Sequence, residues 1–266
     1  MDAQLFFQAD TTAPQLHPIY GGTAAVYTAR SPDKQSPNED AAALIEVNGR
    51  EGILVVADGL GGLPAGEQAS CLAVRKLIAS VEDASADEPS LRTAILNGLE
   101  EANRAIGELG VGAGTTMAIA EIQGHTVRPY HVGDSMILVV GQRGKVKLQT
   151  VSHSPVGYAV EAGLLDESEA MHHHQRHLVS NIIGTPDMRI EVGSTIELAR
   201  YDTLLLASDG LFDNLHIDEI VQRVRKGPLK RAIRAMAEEC RHRMLSPREG
   251  QPSKPDDLTF LAFRRG

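Results

Sequence analysis

Residues 55–70, VVADGLGGLPAGEQAS, carry an apolar run onto a carboxylate, Asp58, then through a cluster of glycines into Gly66-Glu67. The run GILVVAD (52–58) has the length and β-branched content of a strand. Residues 66–80 are apolar nearly all round and read as a helix buried between layers. A single Asp-Gly after a strand is ordinarily a turn. Here the context recurs. Asp134 follows YHVG, Asp209 ends TLLLASD before Gly210, and Asp256-Asp257 immediately precede LTFLAF. Glu39-Asp40 stand before the apolar residues 41–45. An aspartate at the tip of an apolar strand is held at the rim of a sheet. A following glycine lets the backbone bend and brings a carbonyl oxygen to the same place. Carboxylate and carbonyl oxygens suit Mg2+, Mn2+ or Ca2+, and a site with few carboxylates and several waters suits Mg2+ and Mn2+ best.

Working outward, the 266 residues are 42% hydrophobic and 23% charged, as in an ordinary globular protein large enough for a sizeable core. Net charge is −9, from 35 acidic against 26 basic residues. No basic stripe is present, which argues against nucleic acid as a partner. Carboxylates gathered by the fold would repel unless cations neutralised them, so the acidity is itself a reason to test for metal. Two cysteines, Cys71 and Cys240, fall on apolar helical stripes and read as buried thiols. The N-terminal MDAQLFFQAD has neither a basic region nor a long apolar run, and no segment reaches the length of a membrane span. A cytoplasmic protein without a membrane partner is expected.

Strand signals dominate: 24–30, 42–47, 52–58, 115–122, 126–133, 136–141, 145–150, 195–198, 203–208 and 258–264. Asn48-Gly49 and Gln123-Gly124 read as hairpin turns, so much of the sheet should be antiparallel. Helical periodicity runs from Ser90 through Leu91, Ile95, Leu99, Ala102 and Ile106 to Gly110, and again from Pro228 through Ile233, Met236 and Cys240. A shorter helix spans 216–226. Hairpins mixed with long amphipathic helices suggest packed sheets with helices outside, in one domain covering 1–266. The segment 152–187 follows neither period and reads as a functional excursion, with a short helix near 166–175.

Six stretches in order, NEDA (38–41), VVADGLGGLPAGEQAS (55–70), GAGTTMAIA (112–120), HVGDSMILV (131–139), LLLASDGLFDNL (204–215) and PDDLTFLAF (255–263), resemble the motif series of the metal-dependent Ser/Thr protein phosphatases of type 2C, the PPM family, in its bacterial form. The resemblance covers roughly residues 20 to 264. It implies an α+β fold, a four-layer αββα sandwich of two mostly antiparallel sheets flanked by helices, with 152–187 as the family's flap. It also implies two Mg2+ or Mn2+ ions, and a third in some relatives, held about 4 Å apart around a water that attacks phosphorus. By resemblance Asp58 bridges both ions, Gly59 offers a carbonyl, and Asp209 and Asp256 complete the first ion's ligands. Glu39 and Asp40 match the acidic pair near the second ion. Asp134, with Asp209, matches a weaker third site. Thr115 and Thr116 match a structural motif.

Departures from the family pattern fall on the phosphate rather than the metals. Gln35 stands where many members have a phosphate-clamping arginine, with Lys34 and Arg30 as the nearby cations. Leu60 replaces a histidine of eukaryotic members, Met136 an arginine, and Asp257 an asparagine. His173 and Arg176 match flap residues, and His172–His174 with His177 read as a solvated flap rather than a metal cluster. His131 reads as a packed core histidine. Gly61 and Gly62 would leave space for a phosphorylated chain. The expected activity is hydrolysis of phosphoserine and phosphothreonine in proteins. A degenerate phosphoprotein-binding module and a hydrolase of another phosphomonoester are the alternatives. The expected partners are phosphoproteins and, by analogy, an opposing Ser/Thr kinase, with a monomer favoured.

Overall fold

Strands that are apolar on both faces need cover on both sides, and the chain supplies it in four layers. A computed structural model of the chain describes residues 1–60, 65–87 and 90–266. The first half contains β1 (Asp2–Phe7), β2 (Gln15–Ile19), β3 (Gly22–Ala29), β4 (Asp40–Val47), β5 (Glu51–Asp58), α1 (Gly66–Asp87) and α2 (Leu91–Gly107). Next come β6 (Met117–Gln123), β7 (Thr126–Val132), β8 (Met136–Val140), β9 (Val146–Gln149), α3 (Pro155–Glu161) and α4 (Glu167–Ala170). The chain ends with β10 (Glu191–Val192), β11 (Ile196–Glu197), β12 (Thr203–Ala207), α5 (Asp209–Phe212), α6 (Ile217–Val224), α7 (Leu229–Leu245) and β13 (Leu258–Arg265).

One sheet runs β1-β4-β5-β6-β7-β10, with β11 also on β7; the other runs β2-β3-β13-β12-β8-β9. Every pairing among the described residues is antiparallel. Alternation along each strand sorts its side chains between two cores. On β5, Leu54 and Val56 meet Leu204, Leu206, Leu261 and Phe263 in the layer between the sheets. Ile53 and Val55 face outward, onto Leu77 of α1 and Ile95 and Leu99 of α2. On β12, Leu205 and Ala207 turn the other way, onto Ile233, Met236 and Cys240 of α7. The expected αββα sandwich is therefore present.

Helix α2 starts where the sequence predicts, with Ser90 Oγ accepting from Thr93 N at 3.2 Å. Cys240 is buried, while Cys71 on α1 is only half-buried; both thiols are free. Strands β1 and β2 were not expected. They lie at sheet edges, so their side chains stay largely in water and lack a strong apolar pattern. The predicted strand 115–122 begins two residues late because Thr115 and Thr116 are spent on Asp58, as shown below. The short helix near 166–175 contracts to α4, capped by Asp166 and Glu169.

Leu54 is fully buried between the sheets four residues before Asp58. Leu54→Ala is expected to lower stability by about 3 kcal/mol. In a denaturant titration the midpoint should fall with the slope unchanged.

Candidate active site

The antiparallel register brings the acidic residues to one end of the sandwich. Asp40 opens β4 directly opposite Asp58, which closes β5. In the other sheet β12 ends where β13 begins, so Asp209 and Asp256 emerge together. Ser208 Oγ donates to Asp40 Oδ2 at 2.9 Å and ties the two sheets at this end. Asp58 is fixed through its own carbonyl, which accepts from Thr115 Oγ1 and Thr116 N, both at 2.8 Å. The two threonines thus have the structural role their motif implies.

Gly59 needs to be glycine because of close packing rather than a left-handed turn. Its N–H donates to Glu39 O at 3.2 Å, and a Cβ would lie 2.1 Å from the Gly66 carbonyl oxygen. A side chain here would drive apart the start of α1 and the end of β5. Gly133 does take the left-handed form, at φ +103°, which turns the chain after β7 and delivers Asp134 to the same end. Gly61 and Gly62 lie outside the described residues.

Asp40 is buried, while Asp58, Asp134, Asp209, Asp213 and Asp256 are half-buried. Burial, and then Asp40, Asp209, Asp256 and Asp134, push the Asp58 carboxyl well above its ordinary range. Asp40 is raised by burial and then by Asp257. Asp134 is pushed up to about 8 by burial, Asp209 and Asp213, against the opposing pull of Lys254. Asp256 is pushed up to about 7 by burial and Asp209. These mutual shifts show a converging set of like charges. Asp40 Oδ1 is buried with no hydrogen-bond partner. An oxygen-only donor set with an orphaned buried carboxylate oxygen fits Mg2+ or Mn2+.

Two lysines bracket this centre. Lys34 Nζ binds Glu39 Oε2 and lies 2.6 Å from Asp257 Oδ2. Asp257 also accepts from Ser31 N at 2.8 Å and Glu39 N at 2.7 Å. It therefore braces the loop before β4, and Lys34 neutralises it. Asp256, the neighbouring carboxylate, faces Asp209 instead. Gln35 is exposed on the same loop, and Arg30 pairs loosely with Asp10 at 3.9 Å. Lys254, which sequence reasoning passed over, lies 2.5 Å from Asp209 Oδ2, 2.9 Å from Asp213 Oδ2 and 3.1 Å from Asp256 Oδ2. Its spacing two residues before Asp256 was the signal available.

A cavity of about 620 Å³ adjoins the carboxylates, with Asp134, Asp209 and Asp213 at one end. Met136, Val156, Met171 and Phe212 make its walls apolar. Segment 152–187 supplies one side of this cavity, and its Arg176 donates to Ser253 O at 3.1 Å. His172, His173, His174 and His177 line a separate cleft of about 480 Å³ that reaches Lys254. Among the described residues the histidines placed with metal-ligand spacing are instead His131 and His153, with Glu191. Three of their ring nitrogens are engaged: His131 Nε2 with Val151 O at 2.9 Å, His153 Nε2 with Glu191 at 3.0 Å, and His153 Nδ1 accepting from Gly133 N at 3.1 Å. His131 is buried and stacked on His153, as a packed core histidine should be. Leu60 offers no proton to the site; its N–H donates to Gly114 O at 3.1 Å.

Residues 30–248 match the family model described as protein phosphatase 2C. Protein phosphatase PhpP of Streptococcus pneumoniae is 34% identical over 175 residues, 63% of this chain and 70% of that protein. Serine/threonine phosphatase stp of Listeria welshimeri is 31% identical over 183 residues, 65% of this chain and 72% of that protein. The S. agalactiae serine/threonine phosphatase structure superposes with a TM-score of 0.77 at 29% identity, covering 91% of this chain and 99% of that one. A two-sheet sandwich with carboxylates converging at one end is the architecture of a metal-dependent phosphatase. The chain belongs to the protein phosphatase 2C family and, as a member, is a protein serine/threonine phosphatase.

The raised carboxylates give the metal-free protein a signed pH dependence. Asp134 and Asp256 hold protons when folded that they release near pH 3.8 when unfolded. Their contribution to stability is full below that pH and is lost as pH rises through about 7 and about 8. In chelator, the melting temperature is expected to fall by several degrees between pH 5 and pH 8. Saturating Mn2+ should largely remove the decline, whereas a rise over this range in chelator would contradict the convergence.

Proposed function

We propose that this chain removes the phosphoryl group from phosphoserine and phosphothreonine of proteins using two Mg2+ or Mn2+ ions. The observation that carries the reading is the convergence of Asp40, Asp58, Asp209 and Asp256, from four strand ends, at one end of the sandwich. When bound, the two ions would supply a water activated near neutral pH and neutralise charge on the phosphoryl oxygens. Asp58, central among the carboxylates, would bridge them, with the Gly59 carbonyl, Asp209 and Asp256 on one side. Asp40 and Glu39 would serve the other, directly or through water, and Asp134 lies toward Asp209.

The chain's own residues then do the positioning. Thr115 and Thr116 hold Asp58 by its carbonyl, so its carboxylate is delivered by a rigid strand end. Ser208 orients Asp40 through Oδ2 and leaves Oδ1 toward the site. The apolar cavity beside Asp134 and Asp209 is wide enough for a side chain of the substrate next to the phosphorylated residue. Segment 152–187 forms its far wall and acts as a flap over the peptide. Phosphoproteins are accordingly the substrates, and a Ser/Thr kinase would supply them.

A second reading has its own support. Gln35 replaces the clamp and Lys34 is committed to Glu39 and Asp257, so neither position offers a free cation to a phosphate, and Arg30 is the loop's remaining one. That favours, as the alternative, a module that binds phosphoproteins without turnover. Mn2+-dependent hydrolysis of p-nitrophenyl phosphate and of a phosphothreonine peptide separates the two. Wild type is expected to hydrolyse both. Asp58→Asn should lose more than about 100-fold, beyond what loss of an outer partner of a metal ligand costs. No turnover by folded, Mn2+-loaded wild type would support the binding module, and activity surviving Asp58→Asn would remove Asp58 from its role.

A further inference from the structure

Segment 152–187 leaves the body of the protein near one end and rejoins it near the other, and one buried imidazole links the two. His153 is 4% exposed. Its backbone N–H donates to Gly133 O at 3.0 Å, and its Nδ1 accepts from Gly133 N at 3.1 Å. Ring and backbone together therefore grip the turn that precedes Asp134. The same Nδ1 accepts from Asn181 Nδ2 at 2.9 Å, 28 residues further on. The His153 carbonyl accepts from Ser180 N at 2.8 Å. Two N–H donors on one ring nitrogen fix the tautomer, leaving the proton on Nε2, which donates to Glu191 Oε2 at 3.0 Å.

Each end of the segment is tied onward from this ring. Asn181 is buried, and its amide also exchanges two hydrogen bonds with the Arg189 backbone. Ile183 exchanges both backbone hydrogen bonds with Thr115, the threonine that holds the Asp58 carbonyl. At the other end Ser154, directly after His153, caps α3 by accepting from Gly157 N at 2.9 Å. Helix α3 carries Val156 and Val160 into the wall of the cavity of about 620 Å³. His131 stacks on the His153 ring with centroids 4.3 Å apart. The ring is thus held on one face and at both nitrogens.

We propose that His153 is a positioning residue for the flap. By accepting on Nδ1 from both Gly133 and Asn181, it locks the two ends of segment 152–187 to the active-centre turn and sets where α3 stands over the substrate peptide. This rests on the reading of 152–187 as a flap. Among the described residues, its hydrogen-bond partners are backbone groups, Asn181 and Glu191, none of them a carboxylate proposed for the metals. Its loss should therefore fall on peptide binding rather than on the metal-activated water. Asparagine places an amide oxygen where histidine has Nδ1, so His153→Asn keeps the acceptor and gives up the Glu191 bond, whereas His153→Leu keeps neither.

The test compares kcat and KM for a phosphothreonine peptide and for p-nitrophenyl phosphate, with Mn2+, in wild type, His153→Leu, His153→Asn and Val160→Asp. His153→Leu should raise the peptide KM about 10-fold or more and move kcat/KM for p-nitrophenyl phosphate by less than about 3-fold. His153→Asn should stay within about 3-fold of wild type on both substrates. An equal loss on both substrates in His153→Leu, an unmoved peptide KM, or His153→Asn as impaired as His153→Leu would each overturn the inference. Val160→Asp tests the flap reading separately, because it alters the cavity wall and leaves the His153 contacts in place. It should raise the peptide KM. If it does not, the flap reading falls and the inference with it; a rise in Val160→Asp but not in His153→Leu strikes the inference alone. If His153→Leu does not fold, the wild-type imidazole decides. Its 15N shifts at about pH 8 should report the Nε2–H tautomer, and the Nδ1–H tautomer would overturn the proposal.

Discussion

Mutual repulsion among carboxylates packed at one end of a sandwich is the constraint that the surrounding structure is organised to meet. Antiparallel pairing places the start of β4 beside the end of β5, and the end of β12 beside the start of β13. Each strand end carries an aspartate, and each is anchored to a core too tightly packed to yield. The charges cannot relax away from one another by moving the backbone. Burial and their neighbours therefore raise Asp58, Asp134 and Asp256 above the ordinary carboxylate range, and cations would relieve the repulsion. The fold thus holds an unfavourable arrangement of like charges that cations bound there would relieve.

The polar contacts around the centre divide into those that fix carboxylates and those that cancel charge. Thr115, Thr116 and Ser208 do the first, through the Asp58 carbonyl and Asp40 Oδ2. The lysines do the second, Lys34 at Glu39 and Asp257 and Lys254 at Asp209, Asp213 and Asp256. Lys34 answers Asp257, whose extra negative charge in place of an asparagine would otherwise burden the site. Adjacent aspartates consequently have different work: Asp257 braces the loop before β4, while Asp256 faces the centre.

The layers, most strands and the acidic set were legible because their signals are local and repeated. A β-branched run ending in Asp-Gly is visible at 52–59 and again at 203–210, and helical periodicity marks α2 and α7. Edge strands β1 and β2 were hidden because a strand half in water has no strict alternation to read. The reason for Gly59 was hidden too: a strand-ending glycine suggests a turn, whereas its hydrogen is needed for the approach of Gly66, which only the fold brings near. Lys254 escaped for a similar cause. A lone lysine in a polar loop is ordinarily a solvated side chain, and its meaning comes from Asn214, 40 residues earlier, clamping its backbone. The order of the motifs was readable in the sequence, while the pairing of charges was not.

The most direct measurement is an anomalous difference map from crystals grown with Mn2+. Two peaks are expected about 4 Å apart, with the Asp58 carboxylate between them and Asp209 and Asp256 on one of the pair. A map with a single peak, or with manganese bound away from Asp58, would contradict the claim that these strand ends converge to hold a two-metal centre.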